Sequence, residues 1–337
     1  MPDTMTPPLS QPASRNTRLV IGVCADGIAL VRRDGWFGHS WRVLADHLLT
    51  PDRASEKTGK SDNAGSGSAL PEQDHAGAHL QGGSNTQAQA QQSALGVAPQ
   101  HEVGLLGSAL TTALAENGCQ RMKTDLVLAD GWARYFMVAP PKNVSNMADC
   151  QAAAAMRFHQ LYGESPLDWQ IDAQWDTDNA FLACALPNNL LLGLQQACST
   201  QKLRLLSITP YFIACWNHWC RTLDGAAWFG VVNAGYLTLA AIENGRLHAL
   251  RRSPFADENW HDKQYLPTLL AREALRLNLS LPARLQLCGK LPEGRASETM
   301  GQLECRRLDA GQQPLSGTGT AGPLSSQLIL ASSGARQ

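Results

Sequence analysis

The chain has 337 residues, with 28 Lys and Arg against 29 Asp and Glu, so its formal net charge is −1. A near-zero charge removes the electrostatic argument for nucleic acid, an anionic membrane surface or an acidic substrate. The length suits about two domains. Charged residues make up 17% and apolar ones 44%, against about 25% charged in an average soluble domain, which predicts a large interior and a quiet surface suited to partners.

Nine cysteines are present. The number is odd, no pair is spaced C-x-x-C, and most lie in apolar runs, so they read as reduced core thiols rather than a disulfide framework. Met1 to Arg18 is rich in Pro, Ser and Thr and lacks an apolar signal core. No stretch approaches the roughly 18 uninterrupted apolar residues of a spanning helix. The expectation is a cytoplasmic protein with no membrane insertion of its own.

In chain order, Val20 to Val23 and Ile28 to Val31 flank Ala25-Asp26-Gly27, a hairpin signal, and a third strand is expected at Trp41 to Leu49. From Pro51 to about Gln100 there is no aromatic residue, Ile, Met or Cys. Such a segment buries too little apolar surface to offset an ordering entropy of about 1–2 kcal/mol per residue, so 51–100 reads as a disordered insertion. A helix follows near Val103 to Glu116, then strands at Asp125 to Ala129 and Ala133 to Val138. Ser145 is expected to cap a helix running to Tyr162, with Met147, Cys150, Ala154, Phe158 and Leu161 on one face. Strands are expected at Leu167 to Trp175, Ala180 to Leu186 and Leu203 to Ile208, with a helix opened by Pro187 between the last two. Thr209-Pro210 reads as an N-cap and N1 proline for a buried helix, Tyr211 to Arg221.

The second half repeats the opening. Trp228 to Val232, Tyr236 to Ile242 and Arg246 to Arg252 predict a three-strand meander, with Asn244-Gly245 as the strongest turn signal. An amphipathic helix is expected over Asp262 to Leu279, then strands at Leu285 to Gly289 and Leu303 to Leu308. The tail, 312–337, reads as flexible, with a short final strand at Leu328-Ile329-Leu330.

Strand, tight turn, strand, strand and then helices is the order of a ribonuclease H-like unit, here met twice. The blocks LVIGVCADGIALVRR, LDWQID with ALPNNLLLGLQQACSTQKLRLLSITPYFIACW, and WFGVVNAGYLTLAAIENGRL resemble the type IV pilus assembly PilM family and its type II secretion relative GspL. The resemblance covers about Leu19 to Leu49 and Glu102 to Leu308. It implies an α/β fold of two ribonuclease H-like, actin-type domains with mixed sheets flanked by helices: 18–50 with 101–222, then 223–311.

The same resemblance implies three nucleotide-holding turns, and this sequence departs at each. Cys24 stands where an acidic residue is expected, followed by Ala25, Asp26 and Gly27 with no hydroxyl residue. Asn233-Ala234-Gly235-Tyr236 replaces an acidic triple-glycine turn, and Cys288-Gly289-Lys290-Leu291 keeps one glycine of the adenosine turn. Backbone amides of glycine-rich turns hold phosphate and carboxylates hold Mg2+, so the degenerate set Cys24, Asp26, Gly27, Asn233, Gly235 and Gly289 argues against ATP as a cofactor and against catalysis. Cys215-x-x-His218-x-Cys220 fails as a metal site, because Cys220 lies about 140° around a helix from Cys215. No nucleophile motif is present. Trp36-Phe37, after Arg32-Arg33-Asp34-Gly35, reads as an exposed partner anchor.

The family resemblance implies a cytoplasmic actin-like scaffold, peripheral at the inner membrane through a PilN-like bitopic partner whose cytoplasmic segment docks in the first domain's cleft. A motor ATPase is a further implied partner. The alternative from another class is an active ATP-dependent, kinase-like enzyme of the same fold.

Overall fold

The computed structural model describes residues 17–33, 41–49, 100–142, 146–225, 227–291, 297–308 and 325–335. The insertion expected over 51–100 therefore lies outside the described residues, except for Gln100. The first unit runs β1 (Arg18–Cys24), β2 (Gly27–Arg33), β3 (Trp41–Leu48), α1 (Gln100–Glu116), β4 (Lys123–Leu128), β5 (Arg134–Val138), α2 (Met147–Tyr162), β6 (Trp169–Ala173), β7 (Phe181–Pro187), α3 (Asn188–Thr200), β8 (Arg204–Pro210) and α4 (Tyr211–Trp219). Its main sheet has the order β3-β2-β1-β4-β8. The first three strands are antiparallel, and β4 and β8 add in parallel. β1 is central and buried from Leu19 to Cys24, which is why it reads as a continuous apolar run rather than an alternating one.

β5, β7 and β6 form a separate antiparallel sheet rather than extending the first. α2 covers it, and Phe136, Phe158, Trp169 and Phe181 make a second small core there. Asn146, not Ser145, caps α2. Its side-chain oxygen accepts the Asp149 amide at 3.1 Å, and Gly163 ends the helix at φ 68°. Ser145 lies outside the described residues.

The second unit runs β9 (Ala227–Asn233), β10 (Tyr236–Glu243), β11 (Arg246–Pro254), α5 (Tyr265–Leu277), β12 (Arg284–Gly289), β13 (Ser297–Met300) and β14 (Leu303–Arg307). Its order is β11-β10-β9-β12-β14-β13. Apart from the edge strand β13, which carries no readable sequence signal, this repeats the first unit strand for strand.

The tail departs from expectation. Leu328-Ile329-Leu330 lies within a helix, α6 (Ser326–Ala335), not a strand. Ser325 accepts the Leu328 amide through its hydroxyl, an N-cap. α6 returns to the first unit and packs on β1, β2 and β4, burying Leu328, Leu330 and Ala331. Two glycines make the approach close enough. A Cβ on Gly22 would lie 2.0 Å from the Gln327 carbonyl oxygen, and one on Gly334 would lie 2.6 Å from a Val20 methyl carbon.

Candidate functional site

The two hairpin turns singled out in the sequence are both well formed. At the first, Cys24 pairs with Gly27 across an exposed Ala25-Asp26 tip. Cys24 points inward, its sulfur 3.5 Å from the Gln327 side-chain oxygen of α6. Burial pushes its thiol up to about 11, so it is a neutral group at physiological pH. Gln327 in turn donates to Asp46 of β3 at 2.8 Å. Asp26 makes the turn, and its carbonyl accepts the Leu49 amide at 2.7 Å.

At the second turn Ala234 and Gly235 both have positive φ, 49° and 76°, the geometry of a two-residue hairpin turn. Asn233 is buried, and its side-chain amide has no hydrogen-bond partner among the described residues. Gly289, at φ 105°, pairs with Val232, and Lys290 donates its amide to the same Val232 carbonyl at 2.7 Å. The structure therefore gathers Asn233, Gly235 and Gly289 at one end of the second sheet. Cys24, Asp26 and Gly27 gather at one end of the first. Trp36 and Phe37 lie outside the described residues.

Between the units sits a residue that sequence reasoning missed. Asp130, just past β4 in a 3-10 turn (Asp130–Trp132), is buried. Its carboxylate accepts the Tyr135 hydroxyl at 2.6 Å, the Phe212 amide at 2.9 Å and the Thr238 hydroxyl of β10 at 3.3 Å. Arg252 of β11 donates to the Asp130 carbonyl at 3.2 Å and lies over the Tyr236 ring. Burial pushes the Asp130 carboxyl above the usual carboxylate range, opposed by the Phe212 and Tyr135 donors. The expected Thr209 cap is not made. β8 runs on through Pro210, no side chain at that N-cap bonds α4, and Asp130 supplies the acceptor instead. In sequence Asp130 is one residue of an Asp-Gly pair and carries only a turn signal.

A groove of about 1160 Å³ opens beside this tie. One wall is β8, lining it with every residue from Leu205 to Pro210, and the opposite wall is β6 and the chain following it. Among the described residues both are edge strands, since β6 pairs only with β7 and β8 only with β4. Ile213 and Trp216 of α4 contribute apolar surface, and Arg246 and Leu247 at the start of β11 bring in the second unit. Asp172, Asp176 and Asp224 supply carboxylates. Asp176 accepts the amides of Asp178 and Asn179, which hold its carboxyl below the usual range.

Cys220 also lines the groove, but Cys215 is buried and His218 lies edge-on to Trp219, with ring centres 4.5 Å apart. Among the described residues no group of three His, Cys, Asp or Glu is arranged to hold a metal. None of their helices is long and apolar enough to cross a membrane.

Two units with the same meander-then-parallel strand order define the class: an α/β protein of duplicated ribonuclease H-like, actin-type fold. No protein-family model and no curated protein sequence matches the chain. Solved structures do. A Bacteroides thetaiotaomicron protein with an actin-like ATPase fold and unknown function is 10% identical, with 83% of this chain and 84% of that one covered and a TM-score of 0.48. The cytoplasmic domain of EpsL, an inner-membrane component of the type II secretion system of Vibrio cholerae, is 9% identical over 94% and 93% at a TM-score of 0.45. A PilM–PilN type IV pilus biogenesis complex is 13% identical over 82% of each chain at 0.47. At such identities the likeness concerns the fold alone, and the fold rests on the strand order itself.

Proposed function

We propose that this chain is a nucleotide-degenerate actin-like scaffold that docks an extended cytoplasmic segment of a bitopic inner-membrane protein. The observation that carries the reading is the groove bounded by two edge strands, β6 and β8. An exposed edge offers a row of main-chain donors and acceptors to an added chain. At about 1160 Å³ the groove exceeds the roughly 300–1,000 Å³ of common small-molecule sites. The resemblance of the sequence blocks to PilM and GspL supplies the setting. The partner would be PilN-like, the machine a pilus or type II secretion assembly, and the scaffold cytoplasmic, held at the inner membrane through that partner and engaging a motor ATPase. Catalysis is not part of the reading, because Cys24, Asn233 and Ala234 occupy the positions that would hold phosphate and Mg2+.

Thermal melting tests it in two arms. A ligand at a hundred times its Kd stabilises the folded state by about 2.7 kcal/mol, worth several degrees at about 2–4 °C per kcal/mol. Where a neighbouring gene encodes a bitopic protein, a peptide copying its cytoplasmic end should give such a rise, and millimolar Mg-ATP little or none. A large ATP shift with steady phosphate release and no response to the peptide would instead favour the kinase-like enzyme.

A further inference from the structure

We infer that the occupant of the groove joins β8 as an added strand and presents a lysine or arginine to Asp172 and Asp176. The inference rests on the docking reading above and adds to it the geometry and charge of the bound segment. All six consecutive residues from Leu205 to Pro210 line the groove. In a strand, successive side chains point to opposite faces, so consecutive lining means the groove meets the strand along its edge, not on one face. The chain from Ala173 to Asp176 lines the other side in the same unbroken way. A segment lying between them is in the plane of the β8 sheet, where main-chain hydrogen bonds with β8 are available to it, and its alternate side chains fall on the apolar surface of Ile213 and Trp216.

The charge follows from the ion pairs. Of the charged residues lining the groove, Asp224 is held by Arg284, which also pairs with Glu304, while Arg246 donates to the neutral Asn179 and keeps a positive charge that is felt at Asp176. Asp172 and Asp176 have no ion pair among the described residues. Asp172 is exposed and, among the described residues, accepts only the Ala173 amide. Asp176 stays ionised, because the Asp178 and Asn179 amides donate to it. Two carboxylates, Asp172 and Asp176, against the single charge of Arg246 leave the side of the groove opposite β8 net acidic. Cytoplasmic flanks of membrane-spanning segments carry an excess of Lys and Arg, which is the charge this wall fits.

The test is selection of binders from a displayed library of random decapeptides on the full-length protein. The expected binders alternate apolar residues with polar ones that include Lys or Arg, and slow hydrogen exchange at the amides of β8. Their affinity should weaken with added salt and fall about two- to thirty-fold in Asp172→Asn/Asp176→Asn, the range of two exposed ion pairs. It should also be lost in Leu206→Gln. Binders that are neutral or acidic, insensitive to salt and to the two Asn substitutions, yet lost in Leu206→Gln, would overturn the charge assignment and leave the docking reading standing. Protection confined to α4, with β8 unchanged, would overturn strand addition. Recovery only of binders that Leu206→Gln leaves intact would remove the docking reading and this inference together.

Discussion

Asp130 and Phe212 are 82 residues apart, and the carboxylate of the first accepts the backbone amide of the second at 2.9 Å. The helix that walls the groove, α4, is therefore capped by a residue at the end of β4. The same carboxylate accepts the Thr238 hydroxyl of the second unit. One buried group thus fixes both the start of a groove wall and the contact between units.

Asp130→Ala leaves the Phe212 amide, the Tyr135 hydroxyl and the Thr238 hydroxyl without their acceptor. A buried group left unsatisfied costs about 1–3 kcal/mol. The three share one site and do not add fully, so a loss of about 3–4 kcal/mol is expected, a melting-point fall of roughly 6–16 °C. Calorimetry showing a fall under two degrees would mean water replaces the carboxylate at no cost.

The pH dependence has a definite sign. Burial raises the folded-state pKa of Asp130, so the native chain holds this proton more tightly than the unfolded one. The resulting stabilisation is complete below the ordinary aspartate range and is lost as pH rises through the raised native value. Against Asp130→Asn, which cannot titrate, the wild type should lose relative stability on going from acid towards neutral pH. A relative gain over that interval would show that the donors around the carboxylate outweigh its desolvation.

Gly289 and Gly235 both have positive φ but differ in surroundings. A Cβ at Gly235 meets nothing within 4 Å, whereas one at Gly289 would stand 2.1 Å from the Val232 carbonyl oxygen. Gly235→Ala should cost about 1–2 kcal/mol, the usual left-handed penalty. Gly289→Ala should cost clearly more, since β12 must move off β9 as well. Equal losses in urea unfolding would contradict the close strand contact.

Gly22→Ala should loosen α6, because its new methyl meets the Gln327 carbonyl and the Ala331 amide. Overpacking of this kind costs about 1–3 kcal/mol. Hydrogen exchange should localise the effect, with faster exchange over 326–335 and little change in the second sheet. Unchanged protection of α6 would show that the helix is not seated on β1.

Thiol labelling should be slow and selective. Burial pushes Cys24, Cys119 and Cys198 up to about 11 and Cys305 to about 12. At pH 8 that leaves about one thiolate in a thousand or fewer, and the thiolate is the reactive form. Two described cysteines are half-buried, Cys184 and Cys220, and burial holds the Cys184 thiol well above its ordinary range, so the fast reaction with a disulfide reagent should come from Cys220 and vanish in Cys220→Ser. A fast phase that persists would place a reactive thiol elsewhere.

Much of the fold was legible because its signals are local. Asp26-Gly27 and Asn244-Gly245 mark hairpins through their own backbone preferences, and Asn244 and Gly245 do adopt φ of 51° and 72°. Leu266, Leu270, Ala274 and Leu277 declare α5 by spacing alone. Leu328-Ile329-Leu330 could not be assigned this way, since a short apolar run fits strand and helix equally. It is helical because Ser325 caps it and Gly22 and Gly334 leave it room on β1. The separate β5-β7-β6 sheet, the capping of α4 by Asp130 and the groove were also decided only in three dimensions. Periodicity and turn chemistry involve near neighbours along the chain. A hydrogen bond across 82 residues, or an edge left without a neighbouring strand, depends on which distant segments folding brings together.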